Sequence, residues 1–312
     1  MLSSSTRTGK RKRSTSIYLV VSGVFVVLSL LFAACGGSSG GSTSTGSSGG
    51  SSQSSKPTIA PPTDLITAGT LTVGSDTTYP PQEFIDTATS SATGFDVDLV
   101  KAIAQRMGLK ANVVTAKFDS IIDSLSSKRF DIVISAVTIT NERKQKVDFV
   151  PYFNAGESLL VQKGNPKNIK APTDLCGLDV GVQNGTVEQT DLQTISDNCK
   201  KAGKPAVKAT ILQDQTAVIQ LLATNRVVAT YQDSPVTDYY NKQNSGRFEV
   251  GGSVVNAAPE GIVVRKGDSS MLNAVQKSFD SLKADGTYKS IIDKWGLTSG
   301  ALSVIDRRQS VA

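Results

Sequence analysis

The chain has 312 residues, with 33 Lys and Arg against 27 Asp and Glu, and it contains no histidine. The lack of histidine excludes Ser-His-Asp and Cys-His catalysis and every His-ligated metal site, and three cysteines are too few for a Cys-rich zinc site. Five of the 33 basic residues lie within the first 13 residues, which leaves 28 against 27 acids in the rest. We therefore expect no nucleic-acid partner, no metal and no cofactor.

The first 62 residues are typical of a protein that is exported and anchored. Residues 1–34 combine a basic start with an apolar run over 17–31 and end in small residues before Cys35, which predicts a lipoprotein signal peptide. Cleavage there leaves Cys35 to carry lipid, and an uncleaved membrane anchor is the alternative. Residues 35–62 are rich in Gly, Ser and Thr and predict a flexible tether. Both interpretations hold the body outside the cytoplasm, at the cell membrane.

Two cysteines, Cys176 and Cys199, remain once Cys35 is assigned to the anchor. An even pair in an oxidising compartment predicts one disulfide bond, worth roughly 3 kcal/mol through restriction of the unfolded chain. Two buried thiols without a bond between them are the alternative.

The globular body begins with alternating strand-like and helix-like segments. Apolar runs predict strands over 71–74, 112–116 and 130–135, with a polar loop after the first of them. Apolar residues at helical spacing predict helices over 94–107 and 120–128. This alternation predicts a mostly parallel sheet with helical crossovers.

A second set of elements follows residue 156, and a body of about 240 residues is long enough for two packed cores. Residues 299–312 show no periodicity and are expected to form a disordered tail. The predicted strands cover 159–161, 180–182, 209–212, 227–231 and 261–264, and the predicted helices cover 187–201, 216–224, a segment from 233 onward, and about 272–295.

The segment SAVTITNER, residues 135–143, directly follows a predicted strand. The carboxyl ends of such strands are where open α/β sheets bind ligands. Ser135 and Thr138 offer hydroxyl groups, Ala136 leaves room for a ligand to reach the backbone, and the guanidinium of Arg143 suits a carboxylate. Taken alone, Arg143 is better explained as a solvated surface charge, and only its spacing from the hydroxyl residues favours a ligand-binding role.

Six segments recur in an order found in a known family. Together they resemble the family-3 extracellular solute-binding proteins, the amino-acid receptors of ABC importers, over roughly residues 71–295. The segments are GSDTTYPPQEF (74–84), GFDVDL (94–99), KFDSIIDSL (117–125), SAVTITNER (135–143), GVQNGT (181–186) and YQDSP (231–235).

The resemblance implies an α/β, two-lobed periplasmic-binding-protein fold (type II), in which each lobe is a mostly parallel sheet with flanking helices. Residues 63–153 plus 259–298 would form lobe 1, and residues 154–258 would form lobe 2. The chain would cross between the lobes twice, near residues 152–156 and 257–260, and these crossings would act as the hinge.

The resemblance also implies a ligand site built from both lobes. Arg143 would grip the α-carboxylate of the ligand, and Asp233 would pair with its α-ammonium group. Asp76 would touch the tip of the ligand side chain, and Thr186 opens a helix whose N-terminus favours an anion. The full implied ligand-binding set is Asp76, Tyr79, Phe118, Ser135, Ala136, Thr138, Arg143, Gln183, Thr186 and Asp233.

Several of these residues have simpler explanations. Tyr79 and Phe118 are equally explained as ordinary, partly buried aromatics, Asp233 as a helix cap and Asp76 as a turn cap. Gln183 stands where some glutamine-binding members have lysine, so glutamine specificity cannot be carried over.

The function implied is that of a monomeric, non-enzymatic substrate-binding lipoprotein of an ABC importer. It would capture a free polar or basic amino acid by lobe closure and deliver it to a permease in the membrane. The alternatives are a sensing lipoprotein that acts through a partner and a dehydratase-like enzyme on the same fold. We expect no surplus carboxylate pair of the kind that catalysis would need.

Overall fold

The computed structural model describes residues 59–303. The predicted signal peptide, Cys35 and most of the tether lie outside this range, as do residues 304–312 of the predicted tail. Among residues 59–303, no helix is both long and apolar enough to cross a lipid bilayer. The first part of the predicted tail packs on the body, since Thr298–Gly300 form a 3-10 turn and the N–H of Leu302 donates to the hydroxyl of Tyr288.

Strands of two sheets account for most of the framework. They are β1 (Thr70–Ser75), β2 (Thr78–Tyr79), β3 (Glu83–Asp86), β4 (Ser91–Thr93), β5 (Lys110–Thr115), β6 (Ile132–Val133), β7 (Val147–Gln162), β8 (Asp179–Gln183), β9 (Lys208–Leu212), β10 (Ala229–Asp233), β11 (Phe248–Val250) and β12 (Val255–Arg265). The large sheet has the order β5-β1-β6-β12-β7-β10-β8-β9, with β11 also paired to β7. The small sheet has the order β2-β3-β4.

Helices cover the large sheet. They are α1 (Phe95–Arg106), α2 (Ile121–Ser126), α3 (Asn141–Lys146), α4 (Val187–Lys201), α5 (Gln215–Ala223), α6 (Ser234–Gln243), α7 (Ser269–Ala284) and α8 (Thr287–Trp295). Short 3-10 turns at Phe118–Ser120 and Pro172–Leu175 precede α2 and β8. The predicted helix over 187–201 is confirmed residue for residue.

Two long central strands join the halves of the large sheet. We call the half with β1, β5 and β6 lobe 1, and the half with β8, β9 and β10 lobe 2; within each half these strands pair in parallel. Between them β7 and β12 run antiparallel, and the two predicted crossings pair with each other, with Asn154 opposite Pro259 and Ala155 opposite Ala258. The register of this ladder shifts on both sides of that contact.

The predicted strands over 159–161 and 261–264 are only the ends of β7 and β12. Proline and glycine, at Pro151 and Gly156, interrupt the apolar pattern of β7 in the sequence, yet both residues stay within the strand because β12 pairs along it. The polar loop predicted after residue 74 is also wrong, because it contains β2, β3 and β4. Strands of two to four residues are too short to produce a periodic signal.

Each lobe has its own apolar core. In lobe 1, Leu99 and Ile103 of α1 are fully buried against Val275 and Phe279 of α7. Burial of each such side chain is worth about 1.5–3 kcal/mol. Lobe 2 packs α4 and its neighbours around β8 and β10; its buried members include Leu175, Val180, Val182, Leu192 and Tyr231.

The predicted disulfide is confirmed. Cys176 and Cys199 are bonded, with their Cα atoms 5.6 Å apart and a sequence separation of 23 positions. The bond joins the segment before β8 to the last turn of α4, beside Leu175 in the core of lobe 2. The alternative of two unbonded thiols is therefore wrong.

Candidate functional site

A narrow cavity lies between the lobes, at the carboxyl ends of strands from both halves of the sheet. Asp76 follows β1, Ser135 follows β6, Thr186 follows β8, and Asp233 ends β10. The cavity is lined by all the residues predicted to bind the ligand and by three more; the lining is Asp76, Tyr79, Glu83, Phe118, Ser135, Ala136, Thr138, Arg143, Gln183, Thr186, Val187, Glu188 and Asp233. The structure thus brings the predicted residues together, while their binding roles stay predictions.

Arg143 points into the cavity, unlike its neighbours on α3. Asn141, Glu142, Lys144, Gln145 and Lys146 are all exposed, whereas Arg143 is half-buried. The explanation of this residue as a solvated surface charge is therefore wrong. Helix α3 starts at this place because the Thr140 side chain caps it, accepting from the backbone N–H of residue 143 at 3.1 Å.

The guanidinium of Arg143 links the two lobes. It donates to the carbonyl of Thr138 at 2.8 Å in lobe 1 and to the carbonyl of Gly185 at 3.1 Å in lobe 2. It lies 5.5 Å from the ring centre of Phe118, which forms an aromatic wall of the cavity. Burial lowers the pKa of Arg143, while the nearby carboxyls of Glu188 and Asp233 favour its charged form.

Asp233 faces Tyr79 across the cleft. The Tyr79 hydroxyl donates to Asp233 Oδ2 at 2.9 Å and accepts from the backbone N–H of Asp233 at 3.1 Å. Asp233 stands at the N-cap position of α6, but its side chain makes no capping hydrogen bond. The carboxylate is therefore directed to the cavity, and the helix-cap explanation is not supported. Burial raises the pKa of Asp233 to about 7.

Asp76 combines a local and a long-range contact. It accepts from the Thr78 hydroxyl at 2.7 Å, as expected of a turn cap, and also from the side-chain amide of Gln183 in lobe 2. That amide donates as well to the carbonyl of Gln213 at 2.9 Å. Burial raises the pKa of Asp76 to about 6, opposed by its hydrogen bonds with Thr78 and Gln183.

The segment after β6 is held by buried carboxyls. The Ser135 hydroxyl donates to Glu83 at 2.8 Å and accepts from the backbone N–H of Asp76 at 2.9 Å, while the N–H of Ala136 donates to Asp96 at 3.1 Å. The predicted strand over 130–135 is shorter in the structure, at Ile132–Val133, and Ala136 beyond it takes a left-handed backbone conformation, with φ of 46°. These contacts fix Ser135 and Ala136 as parts of the cavity wall.

Thr186 opens α4, as predicted. Its hydroxyl accepts from the N–H of Gln189 at 3.2 Å and donates to the carbonyl of Gln183 at 3.0 Å. The hydroxyl is thus engaged in capping the helix. The N-terminus of α4, with its partial positive charge, lies against the cavity through Val187 and Glu188.

Comparison with known proteins identifies the family. A family model described as bacterial extracellular solute-binding proteins, family 3, matches residues 71–298. The chain belongs to this family. The L-cystine-binding protein TcyJ of Escherichia coli K12 is 34% identical over 228 residues, covering 73% of this chain and 82% of the relative. The arginine-binding protein ArgT of Corynebacterium glutamicum is 34% identical over 247 residues, covering 77% of this chain and 79% of the relative.

Solved structures confirm the two-lobed α/β fold of the family-3 binding proteins. An ancestral arginine-binding protein bound to arginine is 40% identical with a TM-score of 0.67, covering 73% of this chain and 98% of that chain. The ancestral amino-acid-binding protein AncCDT-1, described as a precursor of cyclohexadienyl dehydratase, is 37% identical with a TM-score of 0.66. The match covers 73% of this chain and 95% of that chain. The family and the fold expected from the six sequence segments are therefore confirmed.

Sequence analysis of this family-3 protein missed two buried carboxyls, Glu83 and Glu188. Both residues are 1% exposed and line the cavity, and each has one carboxyl oxygen without a hydrogen-bond partner among the described residues. Burial raises the pKa of each well above its ordinary value. Their positions carried some signal, because Glu83 lies in the 74–84 segment and Glu188 follows the helix start at Thr186 by two residues.

The cavity of this binding protein is therefore strongly acidic. Its lining contains one guanidinium, that of Arg143, and four carboxyl groups, those of Asp76, Glu83, Glu188 and Asp233. Glu188 and Asp233, which lie on different elements of the sequence, are both buried and line this same cavity. Burial raises the pKa of all four carboxyls, and a cation placed among them would favour their ionised forms.

Proposed function

We propose that this solute-binding protein captures a free amino acid with a cationic side chain and delivers it to an ABC permease. The observation that carries the proposal is the excess of carboxyl groups over guanidinium in the cavity between the lobes. A zwitterion needs one cation and one anion, which Arg143 and Asp233 supply, because burying either charge without a partner is costly. The remaining carboxyls, led by Asp76, suit a second positive charge on the ligand side chain.

The predicted way of capture is lobe closure around the ligand. Three contacts already run from lobe to lobe around the cavity: Arg143 to the Gly185 carbonyl, Tyr79 to Asp233, and Gln183 to Asp76. A ligand that bridges Arg143 and Asp233 interacts with both lobes only when they are closed, so it shifts the population toward that state. The paired crossings on β7 and β12 would bend as the hinge. The micromolar dissociation constant that we expect for this capture corresponds to a binding free energy of about 8 kcal/mol.

The place of action is proposed to be the outer side of the cell membrane. The support is the lipoprotein-type sequence before Cys35, the tether over residues 35–62, and membership of an extracellular binding-protein family. One relative is named as an arginine-binding protein of an ABC transporter in Escherichia coli K12, with 32% identity over 229 residues. A monomer, held by lipid through Cys35, would present the loaded form to the permease.

A thermal-shift panel of the common amino acids, ornithine and cystine tests this function. Because a ligand bound only by the native state raises its stability, arginine, lysine or ornithine should raise the melting temperature most. Calorimetry on the best ligand should give a micromolar or tighter dissociation constant. The proposal fails if no amino acid stabilises the protein. Mass spectrometry of the ligand recovered after binding tests the dehydratase-like alternative. We expect the mass of the ligand to be unchanged.

A further inference from the structure

A further set of contacts joins the lobes just outside the ligand cavity. The Oδ2 atom of Asp119, on the 3-10 turn that precedes α2 in lobe 1, accepts from the side-chain amide of Asn184 at 2.9 Å and from that of Gln213 at 3.2 Å. Both amides belong to lobe 2, since they directly follow β8 and β9. We call these three residues, together with Gly185, the clasp.

Gly185 allows the lobes to approach this closely. A Cβ atom at its position would lie 2.7 Å from the Cα atom of Asp119, closer than a Cβ atom packs in proteins. Its backbone has φ of 82°, a conformation that favours glycine, and its N–H donates to Gln189 Oε1 at 2.7 Å. The loop before α4 is thus held by its own helix, and its backbone rests directly on the turn of lobe 1.

The clasp lies outside the lining of the cavity but is attached to it on both sides. Asp119 directly follows Phe118 of the cavity wall. Asn184 directly follows Gln183, whose amide donates to the carbonyl of Gln213 at 2.9 Å. Hydrogen bonds in this place form only when the lobes are closed, whichever side chain the ligand carries. They therefore favour closure without distinguishing one amino acid from another.

We propose that Asp119 is a positioning residue that holds the lobes closed over the ligand, through its hydrogen bonds with the amides of Asn184 and Gln213. This inference rests on the proposed function, because it requires closure around an amino acid. When the lobes separate, the carboxylate and both amides return to water, and because Asp119 is exposed the gain on closure is modest. Since the clasp forms after the ligand has entered, it slows release rather than speeding capture.

Asp119→Ala removes the acceptor for both amides. By calorimetry on the full mature chain, we expect the dissociation constant for L-arginine to rise about threefold to tenfold, and that for L-lysine to rise by the same factor. Stopped-flow kinetics should place the change in the dissociation rate, with the association rate within about twofold of the wild type. Asp123→Ala, which removes an exposed carboxyl on α2, is the control and should bind like the wild type.

Further variants test the geometry of the clasp. Asp119→Asn keeps a side-chain oxygen that can accept from both amides, so its affinity should lie nearer to the wild type than to Asp119→Ala. Gly185→Ala places a methyl group against Asp119 and should weaken L-arginine binding about tenfold or more. Gly203→Ala is the matched control, because it also has a positive φ, of 69°, in lobe 2, while no atom lies within 4 Å of the added group. It should bind like the wild type.

The outcomes separate this inference from the function on which it rests. An equal loss for L-arginine and L-lysine in Asp119→Ala, carried by the dissociation rate and mostly restored in Asp119→Asn, supports the clasp. Unchanged affinity in Asp119→Ala, a loss confined to one ligand or to the association rate, or no recovery in Asp119→Asn overturns it while the proposed function stands. Melting temperatures without ligand show whether each variant is folded. If Asp119→Ala is not, the comparison of Gly185→Ala with Gly203→Ala decides. Absence of amino-acid binding by the wild-type protein overturns both.

Discussion

The two lobes contribute to the candidate site in different ways. Lobe 1 holds Ser135 with its own groups, because the Ser135 hydroxyl donates to Glu83 and accepts from the backbone N–H of Asp76. In lobe 2 the Asp233 carboxylate accepts from Tyr79 of lobe 1. Each lobe also has one buried glutamate, Glu83 or Glu188, with a carboxyl oxygen that has no partner among the described residues. The guanidinium of Arg143 lies on lobe 1, and the carboxylate of Asp233 lies on lobe 2.

This difference suggests an order of events. Because Arg143 is fixed by α3 and the Thr138 carbonyl, lobe 1 offers a ready site for the carboxylate of a ligand. The Asp233 carboxylate of lobe 2 gains a cationic partner only when the lobes meet around the ligand. Loss of Arg143 from lobe 1 should therefore weaken capture most, while loss of Asp233 from lobe 2 should weaken closure around the ligand.

The largest expected effect comes from Arg143→Ala. Removal of the cation leaves the ligand carboxylate buried without a partner, a loss of about 2–5 kcal/mol, so arginine affinity should fall at least about thirtyfold. Arg129→Ala, which removes an exposed arginine of lobe 1, is the control and should bind like the wild type. Calorimetry measures both variants. Unchanged affinity in the first would show that the carboxylate is held elsewhere.

Asp233→Asn should have the next largest effect. The amide keeps the acceptor for Tyr79 but cannot neutralise the α-ammonium group, so affinity should fall about tenfold to a hundredfold. Asp238→Asn, an exposed carboxyl on α6, serves as the control. A lower melting temperature with unchanged affinity would instead assign Asp233 to capping α6.

Asp76→Asn should alter ligand ranking more than overall binding. We expect arginine and lysine affinity to fall about tenfold, with glutamine affected less, because only the cationic tips lose a charged partner. Burial raises the pKa of Asp76 to about 6, so wild-type affinity for cationic ligands should fall further as pH drops through that value. Asp64→Asn is the exposed control. An unaltered ranking would remove Asp76 from the specificity-determining residues.

The smallest effect on binding should follow removal of the disulfide. Cys176→Ser with Cys199→Ser should lower the free energy of unfolding by about 3 kcal/mol, because the unfolded chain gains freedom. Arginine affinity should change by less than about twofold, since the bond lies at the last turn of α4 and the cavity lies at its first. Denaturation and calorimetry measure the two effects. An affinity loss as large as that of Asp76→Asn would show that the disulfide positions the first turn.

The order of the six family segments along the sequence carried most of the information about the cavity. Arg143 and Asp233 are 90 positions apart, and only the succession of family segments placed them together; charge or periodicity alone left both with simpler explanations. The paired crossings were predicted from the resemblance to the family, which implies two passages of the chain between the lobes. Their fusion into the long strands β7 and β12 was missed, since the pairing that sustains a strand through Pro151 is a tertiary property.

Glu83 and Glu188 could not be predicted in the same way. An acid in the first turn of a helix is ordinarily solvated and favoured by the helix dipole, so Glu188 gave no sign of its burial. Glu83 lies on β3, which is too short to show which face points inward. Their environments depend on distant residues, namely Asp233 for one and Ser135 for the other.

Calorimetry of the wild-type protein with L-arginine and with agmatine, the same molecule without its α-carboxylate, tests the central claim most directly. If Arg143 and the acidic cavity together recognise a cationic amino acid, L-arginine should bind with micromolar or tighter affinity and agmatine at least about thirtyfold more weakly. Equal binding of the two compounds, or no heat from L-arginine or any other cationic amino acid, would contradict the account.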